Sequence, residues 1–326
     1  MGEERLNCMK TNEILIIGGY GKVGCEVAKM LSINSQLRIY IAGRNLEKAN
    51  KVAANLHCES RFIDVTDKQT IEEALKGIDI IINCFISMDS IDSHIPEIAA
   101  KTGLKYIDVA GVPEKHLQKL KTLNDNAKKS GALLLTACGV NPGIAGIIIK
   151  HHTELLTEIK KTEVLFTMGS NFNDISVLSL MGIGDLMLIS PQIWKNDTLG
   201  LPERNNLKTF IGKPFNKNIF FSPAAITPDI IKILSCHRIE TMKFWSGMES
   251  LWTSIFLYFS VKMGKTKTKE KSAKLLSRLK TIRLQILNQA FIAPKYLQQH
   301  LLLLLHACLC IMENLMQQVL IMLWKL

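Results

Sequence analysis

What this chain lacks narrows it first. Its 8 cysteines are scattered (8, 25, 58, 84, 138, 236, 308, 310) with no zinc-ligand spacing. That pattern fits reduced thiols in a cytoplasm and no metal site. The opening Met1-Gly-Glu-Glu-Arg is acidic and the first apolar run is only strand length, so no signal peptide is expected. The apolar run at 251–261 is 11 residues, short of the ~20 that a bilayer-spanning helix needs. The net charge of +11 hints at nucleic acid until it is located. Nine Lys or Arg and a single acid, Glu270, fall within 262–283, so the excess belongs to one segment. No aromatic side chain is interleaved there, which removes a base-stacking platform, and no nucleic-acid partner is expected.

What is present begins at Ile14-Leu-Ile-Ile, a β-branched run that reads as a buried strand. Gly18, Gly19, Tyr20, Gly21, Lys22, Val23 and Gly24 follow, and 25–31 continues with helical spacing. Strand, glycine turn and helix open a dinucleotide-binding βαβ unit. Gly19 and Gly21 allow the tight turn, and Gly24 lets the helix lie close on the strand. Backbone N–H groups at the helix start then face a pyrophosphate.

A second strand at 37–42 runs into Gly43, Arg44 and Asn45. The acid that usually accepts from the ribose 2′-hydroxyl of NAD is missing there. Arg44 suits a 2′-phosphate instead, so NADP(H) is the expected cofactor; its alternative role is a solvated residue at a helix start.

Further strands read at 61–65, 78–85, 105–109 and 132–137, with helices at 22–32, 46–56, 68–76, 92–102 and 114–130. Strict alternation predicts an α/β fold with a doubly wound parallel sheet. Gly77, Gly103 and Gly131 stand where helices end, and Asp67 and Pro113 where they start. Strand ends of such sheets carry the ligand. Asp64 and Val65 therefore become candidate adenine contacts, or else a cap for the next helix. Cys84 and Ser87 leave the fourth strand toward the same crevice, and no cation near Cys84 in sequence marks it as a nucleophile. The glycine-proline loop at 139–146, with Gly139, Asn141, Pro142 and Gly143, either crosses between domains or brings backbone to the nicotinamide. His151 and His152 are adjacent on a helix and do not face one way, so they make no metal pair.

Together, Gly18-Gly-Tyr-Gly-Lys-Val-Gly24, Ala42-Gly-Arg-Asn45, Phe62-Ile-Asp-Val65, Asp79-Ile-Ile-Ile-Asn-Cys84, Tyr106-Ile-Asp-Val-Ala-Gly111 and Gly139-Val-Asn-Pro-Gly143 resemble the saccharopine dehydrogenase family over roughly residues 12–150. The resemblance implies an N-terminal Rossmann-type NADP-binding domain, a second α+β domain for substrate and dimer contacts, and a homodimer. It also implies hydride transfer to or from an imine, keto or secondary amine group of a small molecule. Asp108 joins the 139–143 loop on the substrate or nicotinamide side. After Gly111 the family often carries an acid where this chain has Val112. A short-chain dehydrogenase would need Tyr-x-x-x-Lys soon after the fourth strand, and the one such spacing, Tyr258 to Lys262, comes far too late.

The expected organisation is 1–140 for the nucleotide domain, 141–283 for the second and 284–326 for a tail. Alternating stretches at 162–168 and 239–245 read as its strands, and 176–188 as a pocket-lining helix. The run at 251–261 is a core or interface helix, or with the lysines up to 274 it makes peripheral contact with an anionic membrane. Residues 284–326 contain no glycine, no aspartate and one proline, unlike a closing α+β domain. They read as a membrane-seeking helix or as translation in a shifted frame, which the coding DNA would reveal. The expected function is an NADP(H)-dependent oxidoreductase with its catalytic residue unassigned. The alternative is a non-catalytic NADP-binding remnant or interaction protein with a defective C-terminus.

Overall fold

The computed structural model describes residues 12–85, 94–109, 118, 120–139, 141–155, 159–168, 177, 180–181, 184, 191–201, 208–212, 215–237, 239–248 and 251–287. Contacts divide the chain into a unit Met1–Ser277 and a unit Arg278–Leu326, and both sheets belong to the first.

The first sheet is built from β1 (Asn12–Ile17), β2 (Leu37–Gly43), β3 (Glu59–Phe62), β4 (Ile80–Asn83), β5 (Lys105–Asp108) and β6 (Leu133–Leu135). Its order is β3-β2-β1-β4-β5-β6, with every neighbouring pair parallel. The doubly wound fold is therefore present, and the order reverses between β1 and β4, where such sheets open a ligand crevice. Helices α1 (Lys22–Leu31) and α2 (Leu46–Leu56) precede α3 (Lys68–Ala74), α4 (Ile95–Thr102) and α5 (Asn124–Ser130). Residues of alternate parity along each strand face opposite ways. Ile14, Ile16, Ile39, Ile41, Ile80 and Ile82 pack with Ala28, Ala49 and Ala53 of α1 and α2. Leu15, Ile17, Ile81 and Tyr106 pack with Ile71, Ile95 and Ala99 of α3 and α4. Both faces are dry, which is why these strands read as continuous β-branched runs.

The punctuation holds. Gly77, Gly103 and Gly131 have φ of +74°, +78° and +75°, and Asp67 caps α3 by accepting from Gln69 N–H at 2.9 Å. Several boundaries shift, β4 and β6 being shorter than the expected 78–85 and 132–137. β3 occupies Glu59–Phe62 where 61–65 is expected. Asp64 leaves the ladder because its side chain and backbone close a turn with Thr66 and Thr70. The helix expected over 114–130 turns at Leu123 before α5, and Pro113 lies outside the described residues.

After α6 (Ile144–Leu155) come β7 (Ile159–Met168), β8 (Ile193–Lys195), β9 (Thr198–Gly200), β10 (Lys208–Gly212) and β11 (Phe215–Pro223). Next are α7 (Pro228–Cys236), β12 (Ile239–Met248), α8 (Leu251–Lys262) and α9 (Lys269–Leu287). They form a mixed second sheet. β12 pairs with β7 in parallel along its length, and with β8 and β11 antiparallel on its other edge. Met242 and Phe244 pack on Ile149 of α6 and on Ile230 and Leu234 of α7. Trp245, one residue on, is also buried, at 4% exposure. The half-buried alternation expected of 239–245 therefore runs from Thr241 to Phe244 and stops at Trp245. Of the helix expected at 176–188, the described Val177, Leu180, Met181 and Gly184 are helical. The tail from 288 to 326 lies outside the described residues.

Candidate functional site

The glycine turn between β1 and α1 is held by backbone. Gly18 N–H donates to Ala42 O at 2.8 Å, Gly21 N–H to Gly18 O at 2.8 Å and Cys25 N–H to Gly21 O at 2.8 Å. Gly18 has φ +73°, and its α-carbon faces Phe85, where a Cβ would come within 3.3 Å. The turn and the residues leaving β4 therefore meet over the β1/β4 switch point. Gly21 is the N-cap of α1, no side chain among the described residues caps that end, and its first turn holds no acid. Lys22 and Val23 are exposed there. Such an end offers N–H groups and a positive dipole to an anion. Gly24 is buried against the turn, and a Cβ there would strike the Gly18 carbonyl.

Tyr20 links this turn to the end of β2. Its ring lies on Gly43, and its hydroxyl accepts from Asn45 N–H at 3.3 Å. Asn45 in turn caps α2, accepting from Lys48 N–H at 2.9 Å. Arg44, between them, is exposed. Asp64 is half-buried and accepts from Thr66 N–H at 3.0 Å and from its hydroxyl at 2.7 Å. Those bonds, with a smaller contribution from Arg44, hold its carboxyl below the ordinary range. Val65 is a core residue at 7% exposure, so only Asp64 of that pair faces outward.

At the ends of β4 and β5, three buried polar side chains meet. Asn83 and Asp108 are register partners on adjacent strands. Tyr106 hydroxyl donates to Asp108 Oδ2 at 2.9 Å and accepts from Asn83 Nδ2 at 3.2 Å. Burial, then the Asp108 charge, pushes the Tyr106 phenol well above its ordinary range. The same two causes raise the thiol of Cys84 to about 12 and also raise that of Cys138. At neutral pH these are inert thiols, as the absence of a nearby cation led one to expect for Cys84.

The 139–143 loop closes with a bridge between Gly139 and Gly143, and its Asn141–Pro142 bond is cis. Gly143 N–H donates to Asp229 Oδ2 at 3.2 Å, and Thr227 hydroxyl to Asn141 Oδ1 at 3.4 Å. This loop thus joins the parallel sheet to the start of α7.

Residues 14–135 match the family model described as the saccharopine dehydrogenase NADP binding domain. This segment is an NADP-binding domain of that family. Carboxyaminopropylagmatine dehydrogenase of Synechocystis sp. is 24% identical over 155 residues, 43% of this chain and 38% of that protein. Glutamyl-tRNA reductase of Pyrobaculum islandicum is 33% identical over 110 residues, 34% of this chain and 26% of that one. A lipid droplet localized protein of Caenorhabditis elegans is 24% identical over 147 residues, 40% and 34% of the two chains. Each match spans less than half of the curated relative. Apo saccharopine dehydrogenase (L-Glu forming) from Saccharomyces cerevisiae shares the fold, with a TM-score of 0.59 and 18% identity over 78% of this chain and 59% of its own.

The NADP domain brings Gly18, Tyr20, Gly43, Asn45 and Cys84 to one end of its sheet. Ser87 lies outside the described residues. Sequence reasoning missed the Asn83–Tyr106–Asp108 cluster, although alternate polar residues inside apolar strands were a usable signal. It also missed Asp229, 86 residues from its partner Gly143, for which no local pattern exists.

Proposed function

We propose that this chain acts as an NADP(H)-dependent oxidoreductase, moving hydride to or from an imine, keto or secondary amine group of a small molecule. The observation that carries the reading is the uncapped α1 behind the glycine turn, with Arg44 in place of the usual acid. When bound, the nicotinamide would supply or accept the hydride; the protein supplies its orientation. Gly18 to Gly24 hold the pyrophosphate, and Arg44 takes the 2′-phosphate. The 139–143 loop, kept in place by Asp229 and Thr227, borders the reacting end. The names of the Synechocystis and yeast relatives support the dehydrogenase reading. Calorimetric titration with NADPH and NADH, repeated with Arg44→Ala, tests it. The expected result is NADPH binding that the substitution weakens selectively; no binding of either nucleotide overturns it.

Two other observations favour further readings. The glycine-free, aspartate-free composition of 284–326 supports an NADP-binding remnant without turnover, which measurable oxidation or reduction of any amine or imine would refute. Ile255, Tyr258, Phe259 and Met263 are exposed along α8 and the turn after it, beside Lys262 and Lys265. That strip supports peripheral contact with an anionic lipid surface, in line with the name of the nematode relative. Failure to sediment with phosphatidylserine vesicles would exclude it. Among the described residues no helix is long and apolar enough to cross a membrane.

A further inference from the structure

The basic segment at 262–283 has no part in the site described above, yet its middle is firmly held. Lys265 N–H donates to Ser260 O at 2.9 Å. Thr266 is 2% exposed, and its side chain fills the space beside Gly184. Ser272, fully buried, donates its hydroxyl to Thr266 O at 3.1 Å. Thr268 Oγ1 accepts from Lys271 N–H at 3.3 Å. Lys269 therefore opens α9 directly after an anchored turn. It lines an open cleft of about 410 Å³ together with Arg44, Val177, Glu270 and Ala273.

We infer that this cleft seats the adenosine 2′-phosphate end of NADP, and that Lys269 is a second cation reading the phosphate. The inference rests on the NADP reading of Arg44. A phosphate monoester carries about −1.5 to −2 charge near pH 7. Arg44 supplies one positive charge, and Asp64 lies close enough to feel it, so part of that charge is already engaged within the domain. Lys269 adds the missing charge from outside that domain. Val177 and Ala273 give the cleft an apolar wall suited to a purine face. Glu270 repels a phosphate but accepts from a ribose hydroxyl. Its volume falls within the ~300–1,000 Å³ of ordinary ligand pockets.

The test is calorimetry on the full chain with NADPH, NADH and adenosine 2′,5′-bisphosphate as probes. Lys269→Gln is expected to weaken NADPH and the bisphosphate about tenfold, the size of one charge-assisted hydrogen bond, and to leave NADH within about twofold. Lys269→Arg, which keeps the charge, should retain the selectivity, and Lys274→Gln, outside the cleft lining, should not alter it. If Arg44→Ala weakens NADPH while Lys269→Gln does not, the inference falls and the NADP reading stands. Equal loss of NADPH and NADH in Lys269→Gln also overturns it, because a general disturbance would do that. If the unaltered chain binds neither nucleotide, both fall together.

Discussion

The ring of Tyr20 rests directly on the backbone of Gly43, so the glycine turn after β1 is packed on the end of β2. A methyl group at 43 has no room unless that ring moves away. Moving the ring also withdraws its hydroxyl from Asn45 N–H. Gly43→Ala should therefore cost about 1–3 kcal/mol, as overpacking does, and weaken NADPH several-fold. Tyr20→Phe should weaken NADPH less and leave the melting temperature nearly unchanged. A thermal melt alongside a nucleotide titration separates the two.

Gly24 shows a reversal of the usual helix rule. Inside a helix, alanine is ordinarily favoured over glycine by about 1 kcal/mol. Here the added carbon meets Gly18 and Gly19 backbone, which cannot swing aside as a side chain can. Gly24→Ala should destabilise by about 2 kcal/mol or more, seen as a lower denaturation midpoint in urea. A stabilised variant would show that α1 moves freely on β1.

Cys84 should make the fold sensitive to alkali. Its thiol is raised from 9.0 to about 12 by burial and then by Asp108. In the unfolded chain it ionises near its ordinary value, while the folded state keeps the proton. The unfolded state thus binds fewer protons across that window, and stability falls as pH rises from 9 toward 12. Cys84→Ala should flatten this fall in denaturation midpoints measured over that range. An unchanged slope would place the titration elsewhere.

Asp229 should matter through the 139–143 loop. Its Oδ2 accepts from Gly143 N–H, while its Oδ1 is buried with no hydrogen-bond partner among the described residues. Asp229→Ala removes the acceptor from a half-buried N–H and should cost about 1–3 kcal/mol. Asp229→Asn keeps an acceptor and relieves the buried charge, so its loss should be smaller. Urea denaturation of both variants checks the order.

The parallel sheet was legible because its signals are local. β-branched runs, glycine stops and the Asp67 cap each lie within a few residues of what they control. Arg44 was legible for the same reason, since it follows a strand whose end is readable. Asp64 was read as a strand end because the run through Val65 is apolar, and only its bonds to Thr66 and Thr70 show the strand stopping earlier. The short strands β8 and β9 escaped notice because three-residue pairings such as Trp194 with Leu199 carry no periodicity. Pairings that depend on distant chain, such as Gly143 with Asp229 or Asn141 with Thr227, leave no trace in either neighbourhood.

β12 sets when the second sheet can close as the chain is made. β7 waits for a partner that begins at Ile239, 80 residues after Ile159. At about 5–20 residues per second, that is a delay of roughly 4–16 s on the ribosome. The parallel sheet has all six strands by Leu135 and needs nothing from this interval. A ribosome stalled before 239 would thus hold a nascent chain with its nucleotide-binding half complete and its second half an open, unpaired edge, a natural client for a chaperone.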